Sequence, residues 1–449
     1  MNSITTNKRN IKNYEFIFFF LSIINVVITL YFKIEYGVLL LFAYILVLRV
    51  AKVIDDQTFL LLSLFVPNKY LQLLAIPLYL FFKRALITKK EDKKTLIFVL
   101  LVFCVSTINC IFYGGMIVGT LFQTVVYYCI LKFIPTFDRE IEIQSIIDIF
   151  NMMFVLQVIT AGIEYLYYRM ITDTITGTMI SAHYLGVFLL VYLYISIKKS
   201  NWQNKRFKII KIVSCVFLLF ISDAKHVWIM FVVAFLISVL LRKLKVKNPI
   251  TVVGVILTVG VVSFVYLGNN GGLTFLTNHF GAATTYLYDT NYNKKMLFFS
   301  NTLEKMYGIN GLVGFGVGQY GSQVSVSMAK GIIYSWDSSL QNYSYAIRPY
   351  ADAISGVMTE WYVKTGITNS SMVLGYPLVS FIAIFAELGV IGFLFLLRLF
   401  DRFFKNDNPI FMIFFLFITL FDTYFEIPCV FVVLLIATQI ANEKRREKV

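Results

Sequence analysis

Long runs of apolar residues follow one another along most of this chain, and they constrain its fold more than any other feature of the sequence. The chain is 58% hydrophobic and 14% charged, whereas soluble domains carry roughly 25% charged residues. Inside a bilayer every backbone polar group needs an internal partner, so only helices or a closed barrel span it. Runs such as Phe16–Tyr31 and Leu96–Val105 do not alternate with polar residues, which indicates helices.

A transmembrane helix needs about 20 residues, and about twelve segments of the chain meet this requirement. They lie at 15–33, 36–54, 95–113, 116–135, 144–166, 182–198, 206–222, 225–241, 249–267, 376–398, 409–424 and 427–441. A further apolar run, 58–82, is broken by Pro67-Asn68-Lys69, which favours two short helices that form a re-entrant hairpin. The sequence therefore predicts an all-α polytopic membrane protein.

The basic residues indicate how such a protein is oriented. Lys and Arg near helix ends favour the cytoplasmic side of a membrane. Basic clusters occur at 8–12, 49–52, 83–94, 198–211, 242–247, 398–405 and 444–448. All of them fall on the cytoplasmic side if the run 58–82 enters the membrane and returns. We therefore expect a multi-pass protein of the cell membrane with both termini in the cytoplasm, and we interpret the net charge of +15 as an orientation signal and not as nucleic-acid binding.

One long polar stretch, 268–375, separates the apolar runs and defines the predicted domain organisation. It follows an N-terminal bundle, 1–267, of about nine helices plus the hairpin, and it precedes C-terminal helices and a cytoplasmic tail at 376–449. The orientation places this stretch outside the cell as one large loop. Within it, 291–307 has loosely helical spacing, and 308–375 is rich in turns and aromatic residues that either stack on sugar rings or form a membrane-interface belt.

The motif Gly316–Gly321 matches the dinucleotide fingerprint G-x-G-x-x-G literally. That fingerprint requires a preceding strand and a following helix, and the surrounding sequence has no strand pattern. We therefore interpret the motif as a tight turn in which the backbone approaches a neighbour closely.

Metal and cofactor chemistry have little support in the sequence. The three histidines show no ligand spacing, and the five cysteines all fall within predicted spans. We expect neither a metal nor a cofactor. Acidic residues within spans are costly unless they face the protein interior or water. We interpret Glu387, near mid-span, as a helix-packing partner more readily than as a base. We interpret Glu164, near a span end, and Glu426, in a turn, as hydrated residues.

Four features together resemble the O-antigen polymerase and ligase superfamily of bacterial envelope enzymes. Gly308–Gly321 is similar to the family's glycine-rich element, and Ala386–Gly392 (AELGVIG) is similar to its ELGxxG element. Gly177-Thr178 precedes a predicted span, as in the family's GT segment. The large outer loop lies late in the chain, as it does in that family.

The resemblance implies a metal-independent glycosyl transfer on the outer face of the membrane. A growing glycan would leave its polyprenyl diphosphate and join an incoming lipid-linked repeat unit. The implied partners are polyprenyl-diphosphate-linked oligosaccharide and membrane lipid, together with a flippase and a chain-length regulator. The product would be an O-antigen, a capsule or an exopolysaccharide.

Cationic side chains at the outer face fit a diphosphate leaving group. Arg169 and Arg348 fall in the loops where the family uses basic residues. Lys225 and His226 occupy the turn where the family has Ser-Arg, and lysine keeps the charge without the guanidinium fork. An acid such as Asp352 or Glu360 would accept the hydroxyl proton. Expected glycan-contacting residues, in addition to His226, are Gly314, Gly316, Gly318, Tyr320, Trp336, Tyr350 and Trp361.

Three alternatives to a polymerase remain at this stage. Ligases of the superfamily carry a histidine at the end of the large loop, and this chain has none in 370–381. A flippase or transporter of lipid-linked oligosaccharide would not need the large loop. A transferase that uses dolichol-type sugar donors would place its acids in the first outer loop, and residues 33–35 are too short for that.

Overall fold

The computed structural model describes residues 2–32, 36–85, 93–115, 117–139, 142–169, 174–199, 205–269, 294–322, 379–403, 409–420 and 424–446. Over these residues the chain is helical and contains no strand. Six helices are long and apolar enough to cross a membrane, namely Asn13–Phe32, Lys94–Tyr113, Ile117–Phe137, Ile143–Tyr168, His226–Lys243 and Ser380–Asp401. The prediction of a helical membrane protein is confirmed at this level.

The described helices follow one another with short connections over the first half of the chain. They are α1 Asn2–Phe32, α2 Gly37–Val50, α3 Asp56–Ser63, α4 Lys69–Phe82, α5 Lys93–Tyr113, α6 Ile117–Arg139, α7 Ile143–Tyr168, α8 Ala182–Lys199, α9 Lys205–Ile221, α10 Lys225–Lys243, α11 Pro249–Asn269, α12 Lys294–Lys305, α13 Ile309–Val313, α14 Ser380–Phe403, α15 Ile410–Ile418 and α16 Pro428–Arg446.

Each predicted span contains one of these helices, but one helix is much shorter than predicted. Among the described residues of 409–424, the helix is Ile410–Ile418, and its nine residues extend about 14 Å. A bilayer core is about 30 Å thick, so this helix does not cross it alone. The count of twelve spans stays a prediction.

The chain divides into two compact units, and each is built from separate parts of the sequence. Unit 1 comprises Met1–Thr88, Lys132–Leu236 and Ile427–Val449. Unit 2 comprises Lys89–Leu131 and Ile237–Glu426. The units therefore group the chain differently from the predicted division at 267 and 375, which followed hydropathy along the sequence.

In unit 1, the apolar run 58–82 forms two short helices, as its central break predicts. Helix α3 has eight residues and extends about 12 Å, so it cannot cross a bilayer. Asn68 starts α4, since its side chain accepts hydrogen bonds from the backbone N–H groups of Tyr70 and Leu71. The Gln72 amide donates to the carbonyls of Leu64 and Val66, 2.9 and 2.8 Å away, which fixes the turn.

Both ends of this hairpin lie close together. The guanidinium of Arg49, at the end of α2, pairs with the Asp56 carboxylate at the start of α3. Lys83, which follows α4, lies 3.6 Å from the other oxygen of the same carboxylate. The chain therefore returns to its starting point, and α3 and α4 form a hairpin; its re-entry into a membrane stays a prediction.

The last helix of the chain, α16, packs inside unit 1 and is almost completely buried from Cys429 to Ala437. Its main partner among the described helices is α8, whose residues Val187–Val191 are also buried. The Lys198 ammonium donates to the carbonyls of Ile440 and Ala441, 2.9 and 2.7 Å away. This contact joins the C-terminal end of α8 to α16.

Unit 2 is organised around α14, which packs against α13 and α11. Helix α14 is interrupted at Gly389, where φ is 64° and ψ is 179°. At its far end, the Asp401 carboxylate accepts hydrogen bonds from the backbone N–H groups of Ile250 and Thr251, at 2.9 and 2.8 Å. This interaction satisfies the first free donors of α11 and fixes α11 against α14.

Candidate functional site

In unit 2, the residues Gly314–Ser322, here called the glycine segment, lie between helices that are long and apolar enough to cross a membrane. The Ser106 hydroxyl of α5 accepts a hydrogen bond from the Val317 N–H at 2.7 Å. The Asn109 amide, also on α5, donates to the Gly314 carbonyl at 2.7 Å. The Gln319 amide donates to the Thr120 hydroxyl of α6 at 2.6 Å.

The glycine segment packs well inside the ends of the helices that flank it. Ser106 lies seven residues from the Tyr113 end of its span, and Glu387 lies seven residues from the Ser380 end of its own. Seven helical residues correspond to about 10 Å. Gly314–Ser322 therefore lies among these helices and is held there by their polar side chains, while the prediction of one large outer loop over 268–375 stays a prediction.

The glycine segment also donates hydrogen bonds to α14 where that helix is interrupted. The break at Gly389 leaves backbone carbonyls of the preceding turn without helical partners. The Ala386 carbonyl instead accepts the Phe315 N–H at 2.8 Å, and the Glu387 carbonyl accepts the Gly316 N–H at 3.0 Å. Within a membrane span every backbone carbonyl needs a hydrogen-bond partner. The glycine-rich element supplies these partners to the AELGVIG element.

Glycine is required on both sides of this contact. Gly314, Gly316, Gly318 and Gly389 all have positive φ, between 64° and 103°. A Cβ on Gly316 would lie 2.7 Å from the Ser106 Cα, and one on Gly318 would lie 2.5 Å from the Gly119 carbonyl oxygen. The backbone comes close to its neighbours in this turn, as the motif predicts, and the neighbours are helix backbones.

The Glu387 carboxylate is the main acceptor for the end of the glycine segment. Its Oε1 accepts the N–H groups of Tyr320 and Ser322 at 2.9 and 3.2 Å. The side chain is only 1% exposed. This position agrees with a packing role, and the packing partner is the glycine segment.

Tyr320, predicted to contact a glycan, is fully buried. Its ring stacks on Phe315 with 4.8 Å between the ring centroids, and Phe298 lies on a nearly parallel plane at 6.4 Å. In this structure Tyr320 packs inside unit 2 and presents no ring face to a ligand.

A second buried carboxylate lies in unit 2. Glu426 is 6% exposed and accepts a hydrogen bond from the Gln123 amide at 2.5 Å. The interpretation of Glu426 as a hydrated turn residue is therefore wrong.

Sequence reasoning missed this polar cluster, although a signal for it exists. Ser106 and Asn109 are three residues apart on α5, and Thr120 and Gln123 are three apart on α6. Polar side chains at helical spacing within apolar spans face the protein interior. They mark the surface that receives the glycine segment.

Unit 1 contains a second ordered segment, in the connection between α7 and α8. The Glu164 carboxylate accepts the N–H groups of Thr176 and Gly177, both at 2.7 Å, and the Thr176 hydroxyl at 3.1 Å. Gln157 bonds the N–H and the hydroxyl of Thr178 at 2.9 and 2.5 Å. Glu164 is 5% exposed, so its interpretation as a hydrated residue is wrong. The GT element is thus held on α7.

This segment leads to a place where two helices begin side by side. Helix α8 starts at Ala182 and α10 starts at Lys225. The rings of His183 and His226 meet edge to face, with 4.1 Å between their centroids. A Cβ on Gly186 would lie 2.8 Å from the Ala224 Cβ, so the two helices pack closely near their first turns. Helix N-termini carry partial positive charge. We call this place the α8/α10 site.

The structure describes only some of the other predicted site residues. Arg169 ends α7 in a left-handed conformation with φ of 53°, and its side chain is exposed. The backbone of Lys225 begins α10, while its side chain is outside the described part. Six further residues lie outside the described residues: Arg348, Asp352, Glu360, Trp336, Tyr350 and Trp361. Their roles stay predictions.

Among the described residues, no group of three or more His, Cys, Asp and Glu side chains is arranged to hold a metal ion. No family model matches the chain, no curated protein matches its sequence, and no solved structure matches its fold.

Proposed function

We propose that this protein polymerises polyprenyl-diphosphate-linked oligosaccharide repeat units into a surface polysaccharide on the outer face of the cell membrane. The observation that carries the proposal is the α8/α10 site. Two helix N-termini converge there with His183 and His226, and Lys225 is the first residue of α10. Backbone N–H groups and the positive ends of helix dipoles favour phosphate groups.

In the proposed reaction, the α8/α10 site holds the diphosphate of the donor. Lys225, with Arg169 and Arg348, would stabilise the negative charge that develops on the leaving group. An acid, Asp352 or Glu360, would accept the proton of the acceptor hydroxyl. Trp336, Tyr350 and Trp361 would position the glycan by stacking on sugar rings.

The glycine segment has a structural role in this proposal. It ties α5, α6 and α14 together inside unit 2. Its last residue, Ser322, is also the last described residue before a long connection to α14. That connection contains Trp336, Arg348 and the two acids, Asp352 and Glu360. A fixed starting point for that connection would limit where these residues reach.

The proposal is tested in cells that lack their own copy of the gene and express variants. Lys225→Gln removes the charge at the start of α10, and Lys247→Gln removes a charge beyond the end of the same helix. We expect Lys225→Gln to reduce long-chain polysaccharide at least about tenfold, the effect of losing one electrostatic contact to developing charge, and Lys247→Gln to leave it unchanged. Arg348→Ala should likewise abolish long chains while single repeats persist. Normal chain lengths in both site variants would refute the assignment.

A flippase or transporter of lipid-linked oligosaccharide is the second candidate. The observation in its favour is the interrupted helix α14 with the glycine segment packed into the break, because discontinuous helices form the binding sites of many transporters. The two functions differ in what a deletion leaves on the cell surface. Loss of a polymerase leaves single repeat units at the surface, whereas loss of a flippase leaves none.

A further inference from the structure

A short apolar tip, residues 307–312, follows α12 in unit 2. The side chains of Tyr307, Ile309 and Leu312 are all exposed, and Tyr307 is 89% exposed. Apolar surface left in water costs roughly 25 cal/mol per Å². Three such side chains within six residues therefore indicate that the tip lies against an apolar surrounding.

The tip lies at the same level as the end of α5. The Asn310 amide donates a hydrogen bond to the Tyr113 hydroxyl at 2.7 Å, and Tyr113 is the last residue of α5. The Asn109 amide, about one turn further into α5, donates to the Gly314 carbonyl at 2.7 Å. The chain therefore reaches α5 at its end and then follows it inward.

The length of α5 shows where its end lies relative to a membrane. The apolar stretch Lys94–Tyr113 has 20 residues, which extend about 30 Å, the thickness of a bilayer core. Tyr113 then falls at the boundary between hydrocarbon and head groups, where tyrosine is favoured. Beside it, Phe112 is 81% exposed, and Ile108 and Ile111 are exposed as well. This end of α5 presents an apolar surface that a membrane span turns toward lipid.

The size of the tip favours lipid over a protein partner. A large aromatic side chain buries at most about 250 Å², so the three exposed side chains bury less than the roughly 800 Å² that each partner of a stable complex contributes. A bilayer requires no such area, because the hydrogen bond from Asn310 to Tyr113 already holds the tip beside the end of a span.

We propose that 307–312 inserts its apolar side chains into the interfacial region of a phospholipid bilayer, beside the end of α5. Tyr307 lies at the level of the head groups with its hydroxyl in water, and Ile309 and Leu312 reach the upper part of the acyl chains. The tip thereby anchors the start of the glycine segment at the membrane surface. The inference depends neither on the polymerase assignment nor on the side of the membrane that the end of α5 faces.

The test measures the depth of single spin labels in the full-length protein in phosphatidylcholine nanodiscs. The labels are attached to cysteines from Ile309→Cys and Leu312→Cys, in a variant without the five native cysteines. Collisions of each label with oxygen, which concentrates in lipid, are compared with its collisions with a water-soluble nickel chelate. We expect the ratio of oxygen to nickel collisions at both positions to match that of Phe112→Cys, the reference for a residue in lipid.

Glu304→Cys is the matched control, because Glu304 is exposed on α12 just before the tip. Its label should have a ratio several-fold lower than that at Phe112→Cys. Ratios at 309 and 312 as low as the ratio at 304 would place the tip in water and overturn the proposal. Rare collisions with both reagents at 309 and 312 would show that protein, from this chain or from a second copy, covers the tip, and would overturn it as well.

The protein with its native cysteines provides an independent measurement. A phosphatidylcholine that carries a diazirine near its glycerol backbone labels residues at the interface, and trypsin cleaves after Lys305 and Lys330, which separates the tip from α12. We expect labelling within 307–312 and none in the peptide that ends at Lys305. Equal labelling of the two peptides, or labelling of neither, would contradict the proposal.

Discussion

The Glu387 carboxylate accepts the backbone N–H of Tyr320 at 2.9 Å, and this bond joins two short motifs that are 67 residues apart in the chain. The same carboxylate oxygen accepts the Ser322 N–H, and the Glu387 carbonyl accepts the Gly316 N–H. Glu387 of α14 therefore holds the glycine segment at Gly316, Tyr320 and Ser322. The resemblance to polysaccharide polymerases rests partly on these two motifs, and in this structure they form one structural element.

Removal of the Glu387 carboxylate should destabilise unit 2. Glu387→Ala leaves two buried N–H groups without their acceptor, and each such loss costs about 1–3 kcal/mol, so we expect a fall of about 2–6 kcal/mol in unfolding free energy. Glu387→Gln keeps one oxygen in place and should stay within about 1 kcal/mol of the native protein. Thermal unfolding of the purified protein in detergent measures both. Equal losses in the two variants would show that the charge, and not the hydrogen bonds, is what matters.

Glycine at position 389 should be indispensable. Its φ of 64° is unfavourable for alanine, and an added Cβ would lie 2.6 Å from the Leu312 carbonyl carbon. We expect Gly389→Ala to lower the yield of monodisperse protein several-fold, since strain and a backbone clash each cost on the order of 1–3 kcal/mol. Yield is measured by fluorescence-detected gel filtration.

Gly260→Ala is the control for this experiment. Gly260 lies within α11, and an added Cβ there has nothing within 4 Å. Alanine favours helix over glycine by about 0.5–1 kcal/mol, so this variant should match or exceed the native yield. A normal yield of Gly389→Ala would mean that the close contact between α14 and the glycine segment does not exist as described.

The backbone N–H groups of 176–178 should be protected from hydrogen exchange by their hydrogen bonds to side chains of α7. Glu164→Ala removes the acceptor of the Thr176 and Gly177 N–H groups, and hydrogen exchange there should accelerate about tenfold or more, the equivalent of about 1.4 kcal/mol per bond. Gln157→Ala should accelerate exchange at Thr178 instead. Mass spectrometry of peptides that cover 174–181 distinguishes the two.

Asp148→Ala provides the comparison for Glu164, since its carboxylate is exposed on the same helix and accepts only from the Gln144 side chain among the contacts described. It should not change exchange in 174–181. If Glu164→Ala also left that exchange unchanged, the GT segment would be ordered by something other than α7.

The sequence predicts the helices well because their signal is local. A run of apolar residues forms a helix in a bilayer wherever it occurs, and Pro67 and Asn68 mark the hairpin by their own conformational preferences and capping ability. The glycine segment carries no such signal. It is short, mixed in polarity, and buried only because Ser106, Thr120 and Glu387 supply hydrogen-bond partners from distant parts of the chain. Hydropathy alone therefore assigns it to a loop outside the membrane.

The buried acids illustrate the same limit. Glu164 and Glu426 lie near the ends of apolar runs, where water is the expected surrounding of a carboxylate. Their actual partners are the backbone of Thr176 and Gly177 for Glu164 and the amide of Gln123 for Glu426. The Gln123 side chain is 303 residues from Glu426. Such partners follow from the tertiary structure, and neither position is informative in isolation.

The side of the membrane to which the hairpin 58–82 returns sets the orientation of every later helix. Asp56 contacts both Arg49 and Lys83, so the two ends of the hairpin should face the same side of the membrane. We expect cysteines introduced by Lys52→Cys and Lys83→Cys, in a variant without the five native cysteines, to react with a membrane-impermeant thiol reagent from the same side. A cysteine from Asn68→Cys, separated from Lys83 by the 14 residues of α4, or about 21 Å, should be protected from that side.

Labelling of positions 52 and 83 from opposite sides would mean that α3 and α4 cross as one span. It would also invert every later connection and move the α8/α10 site to the cytoplasmic face, where a polymerase of surface polysaccharide could not use it.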